Sequence, residues 1–134
     1  MLDTRWIDLA IALEDLPLVE AVSQPGHAAL LAYLSSRADQ EKSDDRWPHL
    51  LGALIRCEHP KLVETVLGLL AAKNAEAVKG RAHTHVWLIA REIPALPATA
   101  IAPLEALLPT MHERLIDQLV GAIEQLKDRH RAAK

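Results

Sequence analysis

Apolar residues recur every three or four positions along most of the chain, which is the spacing of one face of an α-helix. The first such region runs from Thr4 to about Leu16. Its apolar face consists of Trp6, Leu9, Leu13 and Leu16, and its opposite face of Arg5, Asp8, Ala12 and Asp15. This pattern predicts an amphipathic first helix.

Prolines divide the rest of the chain, because proline is tolerated in the first turn of a helix or between helices but not in a helix interior. In the first half, the predicted elements are a helix opening at Pro17, a helix after Pro25-Gly26, a polar loop over 39–45, and a helix from Trp47 to near Glu58. Short helices separated by tight connections are therefore expected there.

The second half of the chain continues the same pattern. The predicted elements are a helix from His59-Pro60 to Asn74, a helix over 75–93 with the apolar stripe Val78, Ala82, Val86 and Ile89, a brief helix over 101–108, and a last helix opened by Thr110 and Glu113. Few polar residues interrupt the first of these, so we expect it at the centre of the fold. Asn74 is expected to cap the helix that follows it, and Thr110 with Glu113 to form a capping box.

Composition supports an all-helical protein. Leucine and alanine dominate, aromatic residues are 3% of the 134 residues and phenylalanine is absent, whereas strands favour aromatic and β-branched residues. We therefore predict a single all-α domain over residues 1–134. Its expected architecture is either a short, irregular stack of helical hairpins or a helical bundle, closed in both cases by a long C-terminal helix.

Charge and cysteine content exclude several classes of protein. With 15 Lys and Arg against 18 Asp and Glu, the formal charge of −3 argues against a nucleic-acid partner. Four acidic residues interrupt the apolar residues of the first 17 positions, which argues against a signal peptide and a membrane partner. The single cysteine, Cys57, excludes an internal disulfide and favours a reducing compartment. A cytoplasmic location is therefore expected.

Three segments share a local signature of an apolar helix end, a glutamate and a proline. They are Ile11-Ala-Leu-Glu14-Asp-Leu-Pro17, Ile55-Arg-Cys-Glu58-His-Pro60 and Ile89-Ala-Arg-Glu92-Ile-Pro94. The first two also continue alike, as Leu18-Val-Glu-Ala-Val22 and Leu62-Val-Glu-Thr-Val66. Spacings of about 44 and 34 residues are typical of helix-pair repeats.

This signature resembles a HEAT-type repeat, with Leu54-Ile-Arg-Cys-Glu-His-Pro60-Lys-Leu62 as the best match. The resemblance covers about half of the chain, and Val63 stands where the family has a polar residue, often arginine. The resemblance implies a short, curved helical stack that binds another macromolecule through a groove. Packing of an ordinary helical bundle is the alternative explanation of the same strings.

Two surfaces are candidates for binding a partner. On the helix predicted over 75–93, Trp87 lies opposite the apolar stripe, with His83 and Arg91 one turn to either side. Trp87 is either an exposed anchor for a partner or packed between helices. On the last helix, an acidic stripe lies opposite the apolar series Met111, Leu115, Leu119, Ala122 and Leu126; its members are Glu113, Asp117, Glu124 and Asp128. Such a stripe either steers a basic partner or is merely solvated.

Histidine and cysteine residues carry little chemistry in this pattern. Residues two apart on a helix point in different directions, so His83 and His85 do not face one metal ion. We expect no metal and no cofactor, with Cys57 packed and the histidines on the surface or at helix caps. The run Arg81-Ala-His83-Thr is similar to the histidine phosphotransfer domain, which implies a signalling role for His83. That family has Lys and Gly where Val86 and Trp87 stand.

The sequence contains no phosphate-binding loop, nucleophile elbow or zinc-protease helix, and the pattern does not indicate an enzyme. The expected function is binding another protein, with a basic partner favoured by the acidic stripe. An immunity or inhibitor protein, an adaptor and a dedicated chaperone all fit this description. Alternatives from other classes are a degenerate phosphotransfer domain using His83 and a self-associating homo-oligomeric module using the apolar face around Leu69 and Leu70.

Overall fold

A computed structural model of the chain describes residues 4–40, 46–80 and 86–132, without the side chains of Thr4, Leu88 and Arg114. Every regular element in these residues is helical, which confirms the all-α class. The helices are α1 Thr4–Leu13, α2 Leu16–Val22, α3 Ala28–Gln40, α4 Trp47–Arg56, α5 Leu62–Val78, α6 Val86–Ala90, α7 Ile101–Leu107 and α8 Glu113–Ala132. Three 3₁₀ turns cover Ile93–Ala95, Ala98–Ala100 and Leu108–Thr110.

The chain divides into two compact units, Met1–Leu62 and Val63–Lys134, and each is described by itself. The prediction of one domain over residues 1–134 stays a prediction. In the first unit, α1 packs against α2 and α3, and α4 packs against the same two helices. In the second unit, α6, α7 and the turn Ile93–Ala95 all pack against α8.

The helix α4 is the most completely buried element of the first unit. Five consecutive residues of this helix, from Leu50 to Leu54, are buried. Five consecutive positions point all around a helix, so this part of α4 is buried on every side. The sequence pattern indicated α5 for such a central position, and this is wrong. Although Leu70 is fully buried, Val78 is exposed and Gly68 lies at the surface. The small residues on the outer side of α5 are apolar, but exposing such small side chains to water costs little free energy.

The first helix buries a different face from the one its sequence pattern marks as apolar. Ile7 and Ala10 are fully buried, whereas Trp6, Leu9 and Leu13 are 57%, 46% and 60% exposed. The amphipathic helix of the prediction exists, but its widest apolar stripe is not the one that contacts α2 and α3. Helical periodicity alone does not select between two adjacent apolar stripes.

Histidine side chains connect the helices of the first unit. His27 caps α3, because its Nδ1 accepts a hydrogen bond of 3.1 Å from the N–H of Leu30, and its Nε2 lies 3.3 Å from Oδ1 of Asp8 on α1. His59 is buried rather than at the surface. Its Nδ1 accepts from the N–H of Lys61 at 3.0 Å, so its Nε2 carries the hydrogen and donates to the carbonyl of Leu31 at 3.0 Å.

The recurrent glutamates have a shared conformation in two of the three segments. Glu14 follows the last residue of α1 with φ 53°, and Glu58 follows the end of α4 with φ 54°. Both residues adopt the left-handed conformation that terminates a helix. Glu92 has φ −91° and does not share it. The likeness of the first two segments therefore extends to the way in which their helices end.

The helix α5 continues through Asn74, which was predicted to end it. The Asn74 side chain points to the start of α8 instead of capping a following helix. Its Nδ2 donates to the carbonyl of Thr110 at 2.9 Å, and its Oδ1 accepts from the N–H of His112 at 2.5 Å. The amide therefore joins the C-terminal part of α5 to the chain that opens α8.

The capping box predicted for Thr110 and Glu113 does not form. The Thr110 hydroxyl donates to the carbonyl of Leu107 at 2.7 Å, and Glu113 is the first residue of α8 rather than its third. The helix over 75–93 is also divided. Its residues 81–85, which include Ala82, lie outside the described residues, and α6 begins at Val86.

Candidate binding surface

The long helix α8 presents one buried and one exposed side. The predicted apolar series Met111, Leu115, Leu119, Ala122 and Leu126 is buried throughout. The four acidic residues Glu113, Asp117, Glu124 and Asp128 are all exposed on the other side. These four residues form the acidic stripe, and its predicted position opposite the core is confirmed.

Basic side chains accompany the C-terminal half of the acidic stripe. Lys127 Nζ lies 2.9 Å from Oε2 of Glu105 on α7 and 3.5 Å from Oε1 of Glu124. The hydrogen bond with Glu105 is the main cause that raises the pKa of Lys127. Arg131 pairs with Asp128 at 2.8 Å. The negative charge of Glu124 and Asp128 is therefore partly balanced, although exposed pairs of this kind contribute little to stability.

Glu113 and Asp117 are the members of the acidic stripe that form no ion pair within the ranges that the structure describes. Both are exposed at the N-terminal half of α8. These two carboxylates therefore carry the unpaired negative charge of the acidic stripe in the described residues.

A shallow groove of about 430 Å³ runs between the end of α6 and α8. It is lined by Ala90, Arg91, Asp117, Gln118, Gly121, Ala122 and Gln125. Its floor is made of small residues, and a Cβ on Gly121 would meet no atom within 4 Å, so the surface there is open. Arg91 and Asp117 contribute charges of opposite sign to the groove, while the two glutamines offer both hydrogen-bond donors and acceptors.

Trp87 is not part of the groove lining but lies one helical turn before Arg91, which is. The N–H of Arg91 donates to the carbonyl of Trp87 at 3.2 Å, so the helical geometry of α6 extends to Arg91. Residues three and four positions apart in a helix share a face. Trp87 therefore lies on the same face of α6 as Ala90 and Arg91. The indole is 52% exposed. Trp87 is therefore exposed in the structure and is not packed between helices.

The predicted site residues are therefore partly brought together. Arg91 and Asp117, which belong to two different predicted surfaces, line one groove, and Trp87 precedes Arg91 by one helical turn. Glu124 and Asp128 extend along α8 without lining the groove. His83 lies outside the described residues, so its predicted contribution to this surface, and the phosphotransfer hypothesis that depends on it, stay predictions.

The wall of the groove is held by contacts from the end of α8. Nη1 of Arg129 donates to the carbonyls of Pro94 at 2.7 Å and of Leu96 at 3.1 Å, and His130 Nε2 lies 3.0 Å from the same Leu96 oxygen. Carbonyl oxygens only accept hydrogen bonds, so His130 is the donor. These bonds fix the segment that follows Arg91 against α8.

The sequence reasoning missed Gln118, Gly121 and Gln125. The sequence carried no signal for them, because Gly121 lies in open space with no atom within 4 Å of a Cβ built on it, and exposed glutamines are ordinary on a helix surface. The sequence also does not show that these three residues lie close to Arg91, because that proximity depends on how α6 packs against α8.

Metal and thiol chemistry find no support in the described residues. No three His, Cys, Asp or Glu side chains among them are close enough together to hold a metal ion, and His83 and His85 lie outside them. Cys57 is buried and its Sγ donates to the carbonyl of Leu54 at 3.6 Å. Burial raises the pKa of this thiol from 9.0 to about 11, which keeps it protonated and unreactive at neutral pH.

Residues 4–40, 46–80 and 86–132 include no helix with both the length and the apolar character needed to cross a bilayer. Comparison of the chain with protein-family models, with curated proteins and with solved structures gives no match. The resemblance to HEAT-type repeats therefore stays a prediction.

Proposed function

We propose that this chain is a protein-binding module whose docking surface is the groove between α6 and α8 together with the adjacent Trp87. The observation that carries the proposal is an exposed indole one helical turn before Arg91, which lines a groove together with Asp117. Tryptophan and arginine are the residue types most enriched among interface residues that dominate binding energy.

The charge of the surface favours a basic partner segment. Asp117 and Glu113 lie at the end of the acidic stripe without ion pairs in the described part of the chain, and Asp117 reaches the groove. A basic partner would be attracted from a distance and would then place a basic side chain at Asp117. Its apolar side chains would cover Trp87 and the small residues of the groove floor.

The proposal is common to three kinds of protein: an immunity or inhibitor protein, an adaptor and a dedicated chaperone. A partner bound tightly as a folded protein would favour an immunity or inhibitor protein, and a weak contact with a short segment would favour an adaptor. No catalytic role is proposed.

The test is selection of a displayed library of random peptides on the immobilised protein, followed by measurement of the dissociation constant of the selected peptides. We expect basic peptides with an aromatic or aliphatic residue. Trp87→Ala and Asp117→Lys should each weaken their binding about tenfold or more, since residues of this type contribute 1.4 kcal/mol or more when they anchor an interface.

Val78→Ala is the matched control, because Val78 is an exposed apolar residue of the second unit that does not line the groove. Peptides that bind Trp87→Ala and Asp117→Lys as tightly as the original protein would overturn the proposal. A selection dominated by acidic peptides would overturn the partner's proposed charge.

A further inference from the structure

The side chain of His59 joins the connection between α4 and α5 to α3. Its Nδ1 accepts a hydrogen bond of 3.0 Å from the N–H of Lys61, two residues further along the same connection. Its Nε2 lies 3.0 Å from the carbonyl oxygen of Leu31 and 3.0 Å from the hydroxyl oxygen of Ser35, both on α3. The residue is 5% exposed, so water has little access to the ring.

Only the neutral form of this imidazole ring satisfies all of these contacts. The N–H of Lys61 is a donor, so Nδ1 of His59 bonds to it only while Nδ1 carries no hydrogen. A proton on Nδ1 would turn two donors toward each other and break this bond. It would also place a positive charge in a buried position, and burying a charge costs free energy unless an opposite charge compensates it.

Among the described residues, no opposite charge is placed to compensate a protonated His59. The groups of α3 that contact the ring are a carbonyl and a hydroxyl, which do not ionise near neutral pH. The neighbouring titratable group at the end of α4 is the Cys57 thiol, which stays neutral because burial raises its pKa to about 11. On the connection itself, Glu58 and Lys61 have opposite charges, are exposed and form no ion pair with the ring.

We propose that His59 is an acid-sensitive latch, which holds α3 against the connection between α4 and α5 at neutral pH and releases it in acid. When the latch opens, the ring reaches water and gains a proton at about pH 6.5, as histidine does in an unfolded chain. Because the open form binds this proton and the closed form excludes it, acid favours the open form. Opening exposes Leu30 and Leu34, which are fully buried in the closed form.

Two other histidines have contacts that do not exclude a proton in this way. His27 also accepts from a backbone N–H through Nδ1, but its Nε2 lies 3.3 Å from the carboxylate of Asp8, whose negative charge stabilises a protonated ring. His130 donates through Nε2 to the carbonyl of Leu96, and no donor of the described residues occupies its Nδ1. The latch therefore rests on His59. It lies in the first unit and uses no residue of the groove, so it is independent of the proposed function.

Hydrogen–deuterium exchange of the α3 amides at two pH values tests the proposal, with each rate divided by that of an unstructured peptide at the same pH. Between about pH 7.5 and about pH 5.5, we expect the protection factors of α3 to fall about tenfold, because opening takes up one proton. The amides of α8 are the internal reference and should keep their protection. Unchanged protection of α3, or an equal fall in α3 and α8, would overturn the proposal.

Two variants remove the titrating ring while each keeps one kind of hydrogen bond. In His59→Asn the side-chain oxygen accepts from the N–H two residues on, as in an Asx turn, and in His59→Gln the amide nitrogen keeps a donor toward α3. The protection of α3 should be the same at both pH values in either variant, so one folded variant suffices. His130→Gln is the matched control and should retain the tenfold fall. A fall in a folded His59 variant as large as in the original protein would overturn the role of His59.

Discussion

Glu20 on α2 occupies the space in which a side chain at position 52 would begin. Gly52 is buried in α4, and a Cβ built on it would overlap Oε2 of Glu20. The other carboxylate oxygen, Oε1, lies 2.9 Å from Nδ1 of His49 on the same helix. The contact between Glu20 and His49 therefore depends on glycine at position 52, although glycine within a helix is intrinsically unfavourable.

We predict that the effect of Gly52→Ala depends on residue 20. In the original protein the new methyl group displaces the Glu20 carboxylate from His49, and this loss of about 0.5–1.5 kcal/mol offsets the gain in helix propensity of about 1 kcal/mol, so we expect little net change in the free energy of unfolding. In a Glu20→Ala background the alanine has room, and its helix propensity should stabilise the protein by up to about 1 kcal/mol. Urea denaturation of the four proteins measures this coupling. Additive effects would show that the two residues do not compete for space.

Asn74 gives a prediction opposite to that of helix propensity. Alanine is the better helix former at this position within α5, but Asn74→Ala leaves the N–H of His112 and the carbonyl of Thr110 without this partner. We expect a loss of about 1–2 kcal/mol in the free energy of unfolding, measured by urea denaturation. Asn74→Asp keeps the acceptor for His112 near the start of α8 and should lose less. A stabilised Asn74→Ala would contradict this role of the amide.

Because Glu14 and Glu58 have left-handed backbone conformations, we predict that glycine at either position gives a more stable protein than glutamate. Glu58→Gly relieves the strain of a φ of 54° and should raise the free energy of unfolding by about 1 kcal/mol. Glu92→Gly, at a φ of −91°, gains no such relief and should lower it, because glycine adds freedom to the unfolded chain. Thermal unfolding of the two variants and of the original protein measures both changes in stability. A similar response at the two positions would mean that backbone conformation does not distinguish them.

Cys57 predicts a decline of stability at alkaline pH. Below pH 9 the thiol is protonated in the folded and the unfolded chain, so it has no effect on their balance. Between pH 9 and about 11 the unfolded chain loses this proton while the folded chain keeps it, since burial raises the pKa of the folded thiol to about 11. The free energy of unfolding should fall across this window by up to about 3 kcal/mol relative to Cys57→Ala. Parallel pH profiles of the two proteins would refute the prediction.

The sequence by itself determined the fold class and the two sides of α8. Its low aromatic content and helical periodicity are local properties, and a 20-residue helix has enough turns for its apolar and acidic positions to separate clearly. The sequence also predicted the charges of the candidate surface and marked Trp87 as a candidate contact residue. The conformation shared by Glu14 and Glu58 left a trace in the repeated motif.

Only the tertiary structure decided which apolar surfaces are covered and which polar groups meet. The sequence marked Trp6, Leu9 and Leu13 as an apolar face, but Ile7 and Ala10 contact the neighbouring helices. Periodicity gives the direction of a side chain around its own helix and contains no information on where another helix lies. The amide of Asn74, and the groove shared by Arg91 and Asp117, depend on contacts between residues distant in sequence. Such contacts arise from packing, which no local pattern specifies.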